Sequence, residues 1–325
     1  MQFAKATTTG ALAAALLLAA GTADGQVQTR NNGSAARLVR DGMGREVRVP
    51  LRPQRIVSLS PSVTETLFAI GAGDLLVGRT DYCNYPPEAL RKPSVGGIVN
   101  PSLERIVSLQ PDLVIASADA NRIDTERALR RLRITAYALF ANTLEEVLDS
   151  IRQAGDLTGR NEQAAVVIEM LQQRMRRIER AVEGKRRPRV LFVLWQQPLI
   201  SVGRSSFAGD LLERAGAASI TDAIPEPWPR LSLEEVVRAD PEFLIAPQGQ
   251  GMQVTPGQFA RPGWRQTTAA RKGQIVIVEE DALRPSPRVF DALETIFRAL
   301  YPEEANRLFR KTSTPGERAA TEPAP

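Results

Sequence analysis

The 325-residue chain contains no histidine and one cysteine, Cys83. The first absence removes the His-centred forms of a catalytic triad, a zinc site, a haem axial ligand and a proton shuttle. The second removes an intramolecular disulfide. Aromatics make up only 5% of the chain, with three tryptophans and four tyrosines, so each one lying in a loop counts. The apolar run Ala11–Ala20 is about half the ~20 residues a mature membrane helix needs. No nucleophile–base motif such as GxSxG is present. Acidic side chains fall short of basic ones, leaving a net charge of +5 and a pI near 9.7. The excess is arginine spread along the chain, densest from Arg174 to Arg189. That segment reads as the wet face of a helix and not as a nucleic-acid site.

What is present begins with a leader. Met1 and Lys5, then Ala11–Ala20, then Gly21, Ala23 and Gly25 follow the positive, apolar, small-residue order of a secretory signal peptide, placed at residues 1–25. No cysteine follows the apolar run, so the expected mature N-terminus carries no thiol to lipidate.

One stretch then occurs twice. Ser102–Ala116, SLERIVSLQPDLVIA, aligns without a gap on Ser232–Ala246, SLEEVVRADPEFLIA, at an offset of 130 residues, and seven of the fifteen positions are identical. Each copy opens a short helix with Ser-Leu-Glu, stops it at a proline and enters an apolar strand. In the second copy Ser232 and Glu235 have capping-box spacing. A period this long is no solenoid; it predicts two similar lobes, each using the helix–strand unit once.

Between and around the copies, short apolar strands alternate with amphipathic helices, which predicts an α/β fold with mostly parallel sheets. Val167, Leu171, Met175, Ile178 and Val182 recur at helical spacing over Gln163–Val182. That helix is long enough to cross a small domain and lies midway between the repeats, a natural bridge or else an ordinary helix of one lobe. The expected organisation is a signal peptide (1–25), a disordered N-terminus (26–37), an N-terminal lobe (38–158), a bridging helix (159–187), a C-terminal lobe (188–310) and a disordered tail (311–325). Helix Val63–Ile70, following Ser60-Pro61-Ser62, is expected to expose its first-turn amides to a ligand oxygen. Ligands of parallel sheets bind beyond the strand carboxyl ends. Ser62, Tyr82, Tyr85, Trp195, Trp228, Asp281 and Arg284 fall there. Aromatic faces with a few polar groups suit a large flat ligand; packing is the alternative for Trp195 and Tyr85.

RIVSLSPSVTETLFAIGAG, TDYCNYPPEAL and GGIVNPSLERIVSLQPDLVIA, with EPWPRLSLEEVV and the late Ser286-Pro287-Arg288, resemble the iron-siderophore/vitamin B12 class of periplasmic substrate-binding proteins. The DYxxYPP and NPSLE elements are most similar to its cobalamin-binding branch. The likeness runs from about Arg55 to Leu300. It implies two Rossmann-like lobes joined by a single long bridging helix. A ligand would be held between them and delivered to an ABC importer in the inner membrane, by a soluble, monomeric, non-enzymatic protein of the periplasm. Matching residues would be Tyr82 and Trp228 for stacking on a corrin, and Glu104 and Glu234, one per lobe, for docking on arginines of the permease dimer. Helix-dipole compensation is the plainer use of those two glutamates. Ile98 stands where the B12 protein has a second stacking tryptophan, and the polar set around Asp281 and Arg284 is shifted. The implied ligand is cobalamin or another corrinoid, with a ferric siderophore or haem next. No catalytic cofactor, metal or nucleic acid is implied. Two other classes are a ligand-presenting sensor and an exported enzyme built on Glu65, Asp81, Glu280 and Asp281.

Overall fold

The computed structural model describes residues 35–249 and 255–309. The expected signal peptide, residues 26–34 of the expected disordered N-terminus and the expected tail lie outside them. The first strand already begins at Ala36, inside the stretch expected to be disordered, because Ala36 pairs with Pro50 to open a hairpin.

The N-terminal lobe starts with that antiparallel hairpin, β1 (Ala36–Arg40) and β2 (Glu46–Pro50). It continues through β3 (Ile56–Ser58), α1 (Pro61–Ala69), β4 (Leu76–Gly78), α2 (Leu103–Ser108), β5 (Leu113–Ser117), α3 (Ile123–Arg131), β6 (Ala136–Leu139) and α4 (Leu144–Thr158). Strands β3 to β6 form a parallel sheet in the order β4-β3-β5-β6. The bridge is α5 (Asn161–Val182), 22 residues and so about 33 Å long.

The C-terminal lobe runs through β7 (Arg189–Phe192), β8 (Trp195–Gln196), β9 (Leu199–Ile200), α6 (Phe207–Arg214), β10 (Ala218–Ser219), α7 (Leu233–Ala239), β11 (Phe243–Gln248), α8 (Thr268–Lys272), β12 (Ile275–Glu279), α9 (Val289–Leu300) and α10 (Pro302–Phe309). Its parallel sheet has the order β10-β7-β11-β12. Numbered within each lobe, both sheets therefore follow the same order, second-first-third-fourth.

Alternation along the strands builds a layer on each face. Ile56, Leu113 and Ile115 enter one core of the N-terminal lobe, while Val57, Val114 and Ala116 enter another. In the C-terminal lobe Val190, Phe192 and Ile245 face one way, and Leu191, Val193 and Leu244 the other. Strands buried on both faces are the reason these segments read as unbroken apolar runs. One core crosses the whole molecule. Ala164, Ile168 and Leu171 of α5 belong to it at the N-terminal lobe end, and Met175, Ile178 and Val182 towards α6 and α9. The lobes also touch directly: the Leu144 N–H donates to Asp210 at 2.8 Å, Asn142 donates to the Ser205 carbonyl at 3.0 Å, and Arg214 pairs with Glu145 of α4 and Glu179 of α5.

The two repeat copies do the same work. Each delivers the third strand of its sheet, β5 or β11, after α2 or α7. Ser102 and Ser232 both cap, accepting from the amides of Arg105 and Glu235 at 3.2 Å. Gln110 and Asp240, 130 residues apart, both take φ 45° where the helix turns into its proline. Next comes an acid, Asp112 or Glu242, which accepts the amide of Arg55 (3.1 Å) or Arg189 (3.0 Å) at the start of the first strand. Those arginines reach back to the carbonyls of Leu109 (2.7 Å) and Asp240 (2.9 Å). The repeat thus extends to RIV at Arg55–Val57 and RVL at Arg189–Leu191, a signal the fifteen-residue alignment passes over.

Candidate functional site

The segments that leave the carboxyl ends of both sheets meet. From the N-terminal lobe come α1, which follows β3, and the loop Asp81–Pro87, which follows β4; from the C-terminal lobe comes the segment 280–288 after β12. Ser286 Oγ donates to Glu65 Oε2 at 2.6 Å, Arg288 Nη1 to Glu65 Oε1 at 3.4 Å, and Arg284 lies 3.8 Å from the same oxygen. Asn84 Nδ2 donates to Asp281 Oδ2 at 3.0 Å, and Asp281 also pairs with Arg284. The Arg288 guanidinium sits over the Tyr85 ring, 4.3 Å from its centre. Three residues of one lobe and four of the other form this floor. Glu65 is 3% exposed. Burial raises its carboxyl pKa above the ordinary value, and Ser286, Arg288 and Arg284 pull it back only in part.

Each candidate from the sequence now has a place. Tyr85, Asp281 and Arg284 are brought together in the floor, already engaged across the lobes. Ser62 is buried in the first turn of α1, bonded to Ser60 Oγ at 2.9 Å, and faces Pro285 of the other lobe across a space of about 10 Å³. The α1 start is therefore not an open row of amides: Pro61 through Thr66 are all buried. Tyr82 is 55% and Trp228 52% exposed, large values for residues that ordinarily hide most of their ring. Ile98 is half-buried, and its carbonyl accepts from Asn121 Nδ2 at 2.9 Å.

Trp195 and Trp228, taken singly in the sequence, share one ribbon. Trp195 pairs with Ile200 in the β8–β9 hairpin, and Ile200 bridges to Arg230 on its other side. Cross-strand partners and i, i+2 neighbours share a face, so Trp195, Arg230 and Trp228 all lie on the exposed side. Trp195 lies three residues past the end of β7 and opens a two-residue strand there, because the chain folds straight back at Gln197-Pro198. The residues missed in the sequence are Asn84, Ser286 and Arg288 as partners of Glu65, Asp281 and Tyr85. The Ser-Pro-Arg triplet was the available signal.

Glu104 and Glu234 occupy the same position in the repeat helices. Both are exposed and neither has a hydrogen-bond or ion-pair partner among the described residues. Glu235 next door is consumed: its Oε2 accepts the Ser232 amide at 2.7 Å, which holds its carboxyl below the ordinary range.

Three of the carboxylates named for an enzyme have partners, and Glu65 and Asp281 share Arg284. Glu65 holds Ser286 and Arg288, Asp81 accepts from Ser94, and Asp281 pairs with Arg284 and Asn84. Among the described residues no group of three His, Cys, Asp or Glu could hold a metal, and no helix is long and apolar enough to cross a membrane. A cavity of about 100 Å³ beside Leu59, Ser117, Asn121 and Leu129 lies within the N-terminal lobe and is lined by none of the ligand candidates.

Comparison with known proteins agrees with this architecture. The chain is 27% identical over 248 residues to a vitamin B12-binding protein of Vibrio cholerae, covering 76% of this chain and 89% of that protein. Its fold superimposes on the crystal structure of the periplasmic vitamin B12 binding protein BtuF of Vibrio cholerae with a TM-score of 0.67 and 26% identity, over 77% of this chain and 98% of that one. The periplasmic heme-binding protein RhuT of Roseiflexus sp. RS-1, in apo form, gives a TM-score of 0.68 and 26% identity over 77% and 99%. A family model described as periplasmic binding protein matches residues 56–282. With two parallel-sheet lobes, a bridging helix and facing carboxyl ends, the chain belongs to the periplasmic binding protein family.

Proposed function

We propose that this protein works in the periplasm as a monomer, captures a corrinoid between its lobes and hands it to the permease dimer of an ABC importer. The N-terminal lobe, which the pairing of β1 extends back to Ala36, runs to residue 158, residues 159–187 bridge, and the C-terminal lobe runs from 188 to 310. The observation that carries this reading is the set of exposed aromatics on segments that follow strand carboxyl ends, Tyr82 after β4, Trp195 after β7 and Trp228 after β10, in a chain with few aromatics at all. Flat rings at half exposure favour a broad, partly apolar ligand such as a corrin over a sugar or an ion. The B12-binding relative supports that choice. Asp281 and Arg284 would add polar contacts at the floor, Tyr85 a ring face on the side that Arg288 leaves open, and Ser62 the wall at the lobe junction. Glu104 and Glu234, exposed and without a partner among the described residues, on equivalent helices, would dock on the permease.

Haem is the second reading, favoured by the likeness to a heme-binding protein. Without histidine, its iron would need a tyrosinate such as Tyr82. A ferric siderophore would use the same cleft. The test titrates the chain from Gln26 onward with cyanocobalamin, haemin and a ferric hydroxamate, read by calorimetry and tryptophan fluorescence. One-to-one cyanocobalamin binding, weakened about tenfold or more by Trp228→Ala, is expected. Tight haemin binding with no response to cyanocobalamin would replace the ligand.

A further inference from the structure

We infer that Gly203 is a positioning residue for Trp228, fixing the backbone that carries that exposed ring before any ligand arrives; this rests on Trp228 being a ligand contact as read above. The segment 227–231 lies antiparallel against 199–203. Leu231 donates to the Leu199 carbonyl at 3.0 Å, Ser201 to Pro229 at 2.9 Å and Gly203 to Pro227 at 2.9 Å. The last two bonds grip the chain one residue to either side of Trp228. Pro227 and Pro229 have no N–H to offer in return and have fixed φ, so the tryptophan's neighbours keep few alternative conformations.

Gly203 closes the clamp. A Cβ at 203 would overlap the carbonyl oxygen of Glu226, and a Cβ at Gly209 in α6 would overlap the carbonyl of Gly203 itself. Helix, strand and the Glu226–Pro229 segment therefore stack backbone on backbone, with room only for hydrogen at the contact. The glycine is buried, while Trp228, across the same contact, is half exposed. An exposed aromatic is normally free to change rotamer and backbone; here the backbone part of that freedom is removed in advance. Preorganisation of this kind strengthens binding by lowering the ordering cost at capture.

The test uses the full chain labelled with 5-fluorotryptophan, whose three tryptophans, 195, 228 and 264, act as separate reporters; Trp228→Phe assigns its resonance. Two variants probe the clamp: Gly203→Ala, and Pro227→Gly at an exposed position where the core is untouched. Both are expected to shift or broaden the Trp228 fluorine line and to leave that of Trp264, packed on Phe259, in place. In cyanocobalamin titrations each should weaken binding on the order of tenfold, and neither should weaken it further in a Trp228→Ala background. A Trp228 line unmoved in both variants, or a full additional loss in the Trp228→Ala background, overturns the inference. Absence of cyanocobalamin binding by the parent chain would overturn the corrinoid reading alone, and the fluorine lines would still decide the clamp.

Discussion

Glu65 shows how one side chain can join two lobes. It leaves the first turns of α1, is almost fully buried, and meets Ser286 and Arg288 more than two hundred residues away. Its raised pKa has a definite consequence. A carboxyl that holds its proton more tightly folded than unfolded contributes stability that is complete at acid pH and declines as pH rises through its folded pKa. Glu65→Gln cannot titrate and still accepts from Ser286. The melting temperature of the parent protein relative to Glu65→Gln should therefore be highest near pH 4 and fall as pH is raised above the ordinary carboxylate value of 4.5. A difference that instead grew with pH would mean the arginines outweigh burial. The local pairing of Ser232 with Glu235 could be foreseen from a spacing of three residues. The partners of Glu65 could not, since nothing near it in the chain marks Ser286 or Arg288.

The repeat unit is the instructive element. Its two copies differ at the third helical position, Glu235 in one and Arg105 in the other, so only α7 has a reciprocal capping box. Ser232→Ala removes the acceptor for the Glu235 amide and is expected to cost about 1 kcal/mol. Ser102→Ala loses the equivalent single bond and should cost about as much, since the Ser232 backbone amide keeps its bond to Glu235 in either case; urea unfolding of the two variants compares them directly. The long α5 pattern was visible because its apolar stripe faces cores at both ends. The two-residue strands β8, β9 and β10 were not, because a strand that short has no periodicity and exists only through its pairing. Helix α1 was placed correctly but assigned an open N-terminus, which the approach of the C-terminal lobe covers.

At the scale of the whole molecule, two sheets of identical order are joined by one helix and one continuous core. Bending such a joint requires deforming α5 or separating the α4–α6 contacts, so ligand capture is expected with small lobe movement. The equivalent placement of Glu104 and Glu234 puts a matching surface carboxylate, without a partner among the described residues, on each lobe. Charge reversal of both, Glu104→Lys with Glu234→Lys, should leave cyanocobalamin affinity unchanged while transport by the cognate permease in proteoliposomes drops tenfold or more, on the order expected for docking charges. Loss of ligand binding in that variant would place the glutamates in the pocket and not on the permease.

What the sequence determined by itself is whatever depends on near neighbours or on a repeated pattern: the α/β alternation, the doubled helix–strand unit, the bridging helix, the cap at Ser232. Each is written in contacts a few residues apart or in apolar periodicity that survives any arrangement of the lobes. Only the tertiary structure decided which side chains meet in the cleft. Asp281 became a partner of Asn84 and Arg284 of Glu65, Trp195 and Trp228 came onto one ribbon face, and Gly203 became the seat of Glu226. The physical reason is the same in each case. These contacts close loops of tens to hundreds of residues, and their geometry is set by how two finished sheets pack, not by any local preference of the chain.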